Sequence, residues 1–87
     1  MPSWGLRFSE NAIKDLTFWA KTNPKKYSKC KQIFEHILTD PFTGIAKPEP
    51  LRHQLSGCWS RRLDKQHRIV YKVENKVITI IACRYHY

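Results

Sequence analysis

Apolar residues early in the chain recur at helical spacing, and those after Gly57 at the spacing of strands. Leu6-Arg7-Phe8 reads as a short strand. Ser9 then suits a helix N-cap, with Glu10 favourable in the first turn. Ala12, Leu16 and Trp19 fall on one helical face, with Ile13 and Ala20 beside them. Thr22-Asn23-Pro24 breaks this pattern. Asn23 as N-cap and Pro24 at the first helical position start a second helix. Its apolar stripe is Tyr27, Cys30, Phe34, Ile37 and Leu38, and Lys25, Lys26, Lys29 and Lys31 make up most of its solvated side. Asp40 is biased out of helix by Pro41, so the second helix ends there. The two form an αα-hairpin.

Pro41, Gly44, Pro48 and Pro50 punctuate a loop. Three strands are predicted after it: Cys58 to Leu63, Arg68 to Val73 and Val77 to Tyr85. The polar turns Asp64-Lys65-Gln66-His67 and Glu74-Asn75-Lys76 separate them at the spacing of antiparallel hairpins. The predicted architecture is α+β: a single domain over residues 1–87, with two N-terminal helices packed on one face of a mostly antiparallel twisted sheet. In the middle strand Ile69, Tyr71 and Val73 point one way and Arg68, Val70 and Lys72 the other. The face without helices then carries Arg68, Lys72 and one of Arg61 or Arg62, while Arg84 and His86 share a side of the last strand. A half-open face with arginines and a histidine would make a phosphate-binding concavity; ordinary solvent-facing strand residues are the other reading.

Composition narrows the classes. The chain has 87 residues, 41% hydrophobic and 13% aromatic, enough for one small core. No stretch approaches the ~20 apolar residues of a membrane span. The start of the chain has no apolar signal core, so a cytoplasmic protein is expected. Cys30, Cys58 and Cys83 are odd in number and far apart, which fits buried thiols in a reducing compartment rather than a disulfide framework. Zinc-ligand spacing is missing, and neither metal nor cofactor is expected. The net charge of +9 suggests a polyanionic partner, nucleic acid or an acidic protein.

Two segments carry candidate chemistry. In Lys47-Pro48-Glu49-Pro50-Leu51 a glutamate is clamped between two prolines, either to hold its carboxylate in place or merely as part of a stiff loop. The apolar run Val77 to Cys83 ends in Arg84-Tyr85-His86-Tyr87, either a rigid set of polar groups at a sheet edge or a solvated basic tail. RNA is cleaved without metal when a base takes the ribose 2′-OH proton, the 2′-oxygen attacks phosphorus, and an acid protonates the leaving 5′-oxygen. A carboxylate, an imidazole and an arginine supply base, acid and charge stabilisation, and Glu49, His86 and Arg68 are candidates. The lack of an Asp/Glu cluster argues against two-metal chemistry.

These residues sit in a wider pattern: Lys47-Pro48-Glu49-Pro50-Leu51 with His53, Leu55-Ser56-Gly57, Trp59-Ser60-Arg61-Arg62, His67-Arg68-Ile69-Val70-Tyr71, and Ala82-Cys83-Arg84-Tyr85-His86-Tyr87. The pattern resembles the YoeB-type toxins of the RelE superfamily of bacterial mRNA interferases, over nearly the whole C-terminal half. The N-terminal half agrees in layout and keeps scattered residues such as Trp19 and Pro41-Phe42. The resemblance implies a RelE-like fold, endonucleolytic cutting of mRNA in the ribosomal A site, and neutralisation by an acidic YefM-like antitoxin. It makes the bacterial ribosome with its rRNA and the mRNA partners, and it favours a homodimer.

By the same resemblance Glu49 is the general base, His86 the general acid, Arg68 the phosphate-stabilising cation, and Tyr87 a tyrosine that helps place the substrate. Arg62 falls at another active-site cation. Arg52 stands near the substrate where the family often has a lysine, which keeps the charge and changes the donor geometry. Arg61 and Arg84 either contact RNA or are simply solvated. Cys58 replaces an expected aromatic residue beside Trp59. Trp59 reads equally as core or as a stacking surface, Trp4 and Trp19 as core, His53 and His67 as structural at least as readily as catalytic, and His36 as incidental. A non-enzymatic ParE-like toxin that inhibits a topoisomerase, and a basic RNA-binding module without catalysis, are the competing classes.

Overall fold

Ser9 begins the first helix as the sequence predicts. Its hydroxyl accepts from the Ala12 amide and donates to the Ile81 carbonyl, so one side chain caps the helix and ties it to the sheet. The computed structural model describes residues 4–86. Its elements run β1 (Gly5–Phe8), α1 (Glu10–Thr22), α2 (Pro24–Thr39), β2 (Glu49–Pro50), β3 (Cys58–Arg62), β4 (His67–Glu74) and β5 (Val77–His86). Asn23 closes α1 through its amide and opens α2 through its side chain, which accepts from the Lys26 amide, with Pro24 in the first turn.

The sheet order is β1-β5-β4-β3-β2. Neighbours are antiparallel except β1, which lies parallel to β5 with Gly5 opposite Val77. The turn between β4 and β5 has Asn75 and Lys76 both at positive φ, 52° and 62°. That is the backbone of a two-residue hairpin turn whose twist matches its strands. No helix among the described residues is long and apolar enough to cross a membrane.

The main core lies between the helices and one sheet face. Ala12, Trp19, Cys30, Ile33, Phe34 and Ile37 pack there on Ile69, Tyr71, Ile78, Ile80 and Cys83. Asp15, on the buried side of α1, accepts from the amides of Cys83 and Arg84 at 2.8 and 3.1 Å. Trp19 Nε1 donates to the Cys83 carbonyl at 2.9 Å. These bonds fix the outgoing end of β5 to α1.

The second sheet face is not the bare basic surface the alternation suggested. Leu51, Cys58, Val70 and Ala82 form a small apolar cluster on it, flanked by Leu55, Ile81 and Tyr85. Cys58 is buried in this cluster. The segment from Leu51 to Leu55, including a short 3-10 turn at His53–Leu55, folds over the open face and supplies part of that cover.

Candidate active site

Glu49 reaches the open face because the loop before it is tightly set. Ala46 and Lys47 both lie in the left-handed region, with φ of 64° and 51°. Each such residue costs about 1–2 kcal/mol against an ordinary conformation, so its surroundings must enforce it. The Ala46 carbonyl is held by the Arg62 amide at 2.6 Å. Pro48 and Pro50 then fix the backbone on either side of Glu49, and β2 pairs Glu49 with Ser60.

Arg68 meets it from β4. Its Nη2 lies 2.6 Å from Glu49 Oε1, and its Nη1 donates to Ser60 Oγ at 3.0 Å. The Arg68 side chain is 9% exposed and that of Glu49 42%, so a mostly buried arginine steadies a glutamate that water and ligand can reach. The concavity beside the pair holds about 510 Å³ and is lined by Glu49, Leu51, Arg52, His53, Leu55 and Tyr85. Its floor is apolar and its rim charged. Tyr85 pairs in register with Arg68 across β4 and β5 and so shares its face. His53, at φ 60°, turns the chain over the rim.

The other sequence-predicted residues separate. Arg62 is exposed, and its Cα lies opposite that of Arg68 in the β3–β4 register. Arg52 is exposed on the rim. Arg61 is fully buried and belongs to no RNA-facing surface. Its Nη2 donates to the carbonyls of Asp40 and Thr43 at 2.6 and 2.8 Å. Its Nη1 donates to that of Ile45 at 3.2 Å, and its Nε to Tyr71 Oη at 3.1 Å. Tyr71 in turn donates to the Pro41 carbonyl at 2.6 Å, and burial raises its phenol pKa. Arg61 therefore holds the loop that leads to Glu49. Glu49 is positioned from below by a residue the sequence offered as an RNA contact.

Arg84 also turns away from the concavity. Its guanidinium carbon stacks 3.6 Å from the centre of the Phe18 ring on α1. His86 lies on the same side of β5. Its Cα is paired with His67, and their rings meet edge to face with centroids 4.7 Å apart. His67 packs in turn on Trp19 at 5.0 Å. The histidine and the arginines thus do not gather on one sheet face: Glu49 and Tyr85 line the concavity, with Arg68 paired to Glu49 beside it, while His86 stands at the end of β5 against the α1 side. Tyr87 lies outside the described residues. Trp59 is half-buried against Phe42, centroids 5.1 Å apart, as part of the packing around the 40–46 loop.

Sequence reasoning missed Asp64. It accepts from the amides of Gln66 and His67 at 2.7 and 2.6 Å, contacts His67 Nδ1 at 3.0 Å and pairs with Lys26. Burial pulls its pKa up, but Lys26, His67 and the amides outweigh it and hold the carboxyl well below the usual carboxylate range. The Asp-x-x-His spacing in the turn was the available signal. No group of three His, Cys, Asp or Glu side chains among the described residues could hold a metal ion.

A helical hairpin on a five-stranded mixed sheet is the architecture of the small YoeB- and RelE-like toxins of bacterial toxin–antitoxin systems. The chain superposes on the YoeB/ParE toxin from Agrobacterium tumefaciens with a TM-score of 0.91 and 34% identity, over 95% of this chain and 99% of that one. It matches the toxin in the heterotetrameric YoeB–YefM toxin–antitoxin complex from Staphylococcus aureus with a TM-score of 0.86 and 34% identity, over 98% and 99% of the two chains. Toxin YoeB of Escherichia coli O6:H1 is 44% identical over 82 residues, 94% of this chain and 98% of that protein. The sequence model of the YoeB-like toxin of the bacterial type II toxin–antitoxin system covers residues 8–87. The chain belongs to that family.

Proposed function

We propose that this toxin is a ribosome-dependent endoribonuclease that cuts mRNA in the A site without a metal ion and so stops translation. The contact of Glu49 with Arg68 at the rim of an open concavity carries the reading. Glu49 takes the proton from the 2′-OH, and the 2′-oxygen attacks the neighbouring phosphorus. Arg68, joined by Arg52 and Arg62, neutralises the charge that builds on the phosphorane. His86 gives a proton to the departing 5′-oxygen. The attacking and leaving oxygens of an in-line displacement lie on opposite sides of phosphorus, so base and acid must approach from opposite sides as well. Glu49 on the open face and His86 at the end of β5, on the other side, suit an RNA backbone that crosses the strand end between them. Tyr87, next in sequence, would help to place the substrate.

The +9 charge supports docking on rRNA and mRNA, and it equally suits an acidic antitoxin. A YefM-like antitoxin is the proposed partner in a bacterial cytoplasm, with the free toxin a homodimer.

The test is translation in vitro with primer extension on the mRNA. Cleavage within the A-site codon is expected, and Glu49→Gln, Arg68→Ala and His86→Ala should each slow it by roughly two to four orders of magnitude. Three variants that cut at the unmutated rate would refute the assignment. Intact mRNA with arrested DNA supercoiling would point instead to a topoisomerase-directed toxin, and RNA binding without scission to a non-catalytic module.

A further inference from the structure

His86 does not stand alone at the end of β5. Its ring meets the His67 ring edge to face, and His67 is fixed on every side that the structure describes. Trp19 lies against it with centroids 5.0 Å apart. Its Nδ1 lies 3.0 Å from both carboxylate oxygens of Asp64. The Asp64 carboxylate is itself immobilised by two backbone amides and by Lys26, whose ammonium sits 4.8 Å over the Trp19 ring. The His67 backbone is locked as well, because its carbonyl accepts from the amides of Leu63 and Asp64. A carboxylate that orients an imidazole against an aromatic wall fixes both the ring plane and the nitrogen that carries the proton. The groups facing the His67–His86 pair from neighbouring elements are therefore Asp64, Lys26 and Trp19.

We propose that His67, oriented by Asp64, is a positioning residue for His86. This rests on the reading of His86 as the acid. His86 is exposed and is the last residue of β5, so fewer ladder bonds hold it than hold the middle of the strand. Backbone pairing with β4 sets where its Cα lies, and the His67 ring sets which way its side chain leans. An acid that must meet a departing oxygen loses rate steeply with misplacement, by about a hundredfold for about 1 Å. The His67 ring packs on the α1 side of β4, while Arg68 and its register partner Tyr85 face the concavity, so loss of the ring should act on the chemical step and not on RNA binding.

The variants are His67→Ala, His67→Phe and Asp64→Asn, compared with His86→Ala on programmed ribosomes under single-turnover and saturating conditions. His67→Ala should lower kcat by roughly ten- to a hundredfold and leave KM within about twofold. His67→Phe keeps a ring against His86 and should recover most of the loss, while Asp64→Asn, which keeps an acceptor but not the charge, should fall between. In the free protein, NMR should show cross-relaxation between the two imidazole rings, lost in His67→Ala at unchanged backbone shifts in β4. An unmutated kcat in His67→Ala beside an inactive His86→Ala would overturn the proposal, and so would a His67→Phe as slow as His67→Ala. If the unmutated toxin cuts nothing, the endoribonuclease reading fails, and the ring-to-ring signal then decides by itself whether His67 holds His86.

Discussion

Replacing Arg61 with methionine keeps most of the buried volume and removes every hydrogen bond the guanidinium makes. Four contacts vanish: two short ones to the carbonyls of Asp40 and Thr43, and two longer ones to Ile45 and Tyr71. Hydrogen bonds from a charged donor contribute about 1.5–3 kcal/mol each, and the two short ones here belong near the top of that range. Two effects offset the loss. The desolvation cost of a fully buried cation disappears, and the loop carbonyls lie where water can reach some of them. The net destabilisation is then about 2–4 kcal/mol. A domain of this length has roughly 4–13 kcal/mol in total, so the variant should stay folded with a much reduced margin. Urea unfolding followed by tryptophan fluorescence, with a slope of about 1 kcal/mol per molar, should show the midpoint falling by about 2 M or more. A midpoint within about 0.5 M of the unmutated protein would refute the argument that Arg61 holds the 40–46 loop.

Further outcomes follow from particular residues. The Asp64 carboxyl has a folded-state pKa below its ordinary 3.8, so the stability it contributes is present above about pH 4 and is lost as pH falls toward its folded value. Asp64→Asn should therefore lower the urea midpoint at neutral pH, by a difference that shrinks in acid; a difference constant down to about pH 2.5 would contradict the linkage. Lys76→Gly, at a turn position with φ of 62°, should raise thermal stability by up to about 1 kcal/mol, read as a melting point a few degrees higher. The Cys83 thiol is held above its ordinary pKa by its contact with Cys30 and by burial, so a thiol reagent should spare it in the folded protein and modify it on unfolding, as mass spectrometry of the labelled peptide would show.

The parts legible in the sequence are those set by local chemistry. Ser9, Asn23 and Pro24 announced their helices because caps and first-turn prolines act within a few residues. The turns after Leu63 and Val73 announced the hairpins for the same reason. The rest depended on what lies across the fold. Asp15 reads as a polar residue on an amphipathic helix, and only the amides of Cys83 and Arg84 explain its burial. Arg61 and Arg62 are indistinguishable in sequence. Strand alternation sends one into the core and the other out, and the loop carbonyls that receive Arg61 come from residues far behind it. The pairing of Glu49 with Arg68 was readable only as two motifs, because the contact spans β2 to β4 across the intervening β3. The side on which His86 lies was open in the sequence, since the register of β5 on β4 shifts twice, on either side of Val70, and only because the two shifts cancel does His86 fall on the side of Ile78 and Ile80.

The order of the strands has a kinetic consequence. From Glu49 to His86 each strand lies beside its neighbour in sequence, so β2 to β5 can zip together through short loops at small entropic cost. β1 instead joins β5 across a separation of 72 residues, Gly5 to Val77. Contacts that distant form late in a folding reaction, after the meander has supplied an edge to dock on. The Glu49–Arg68 pair is then expected to form early, with β1 docking on the edge of a sheet that already exists. A truncating change at Leu6 should accelerate unfolding and leave the folding limb of a chevron plot nearly unmoved, whereas Val70→Ala should slow folding itself.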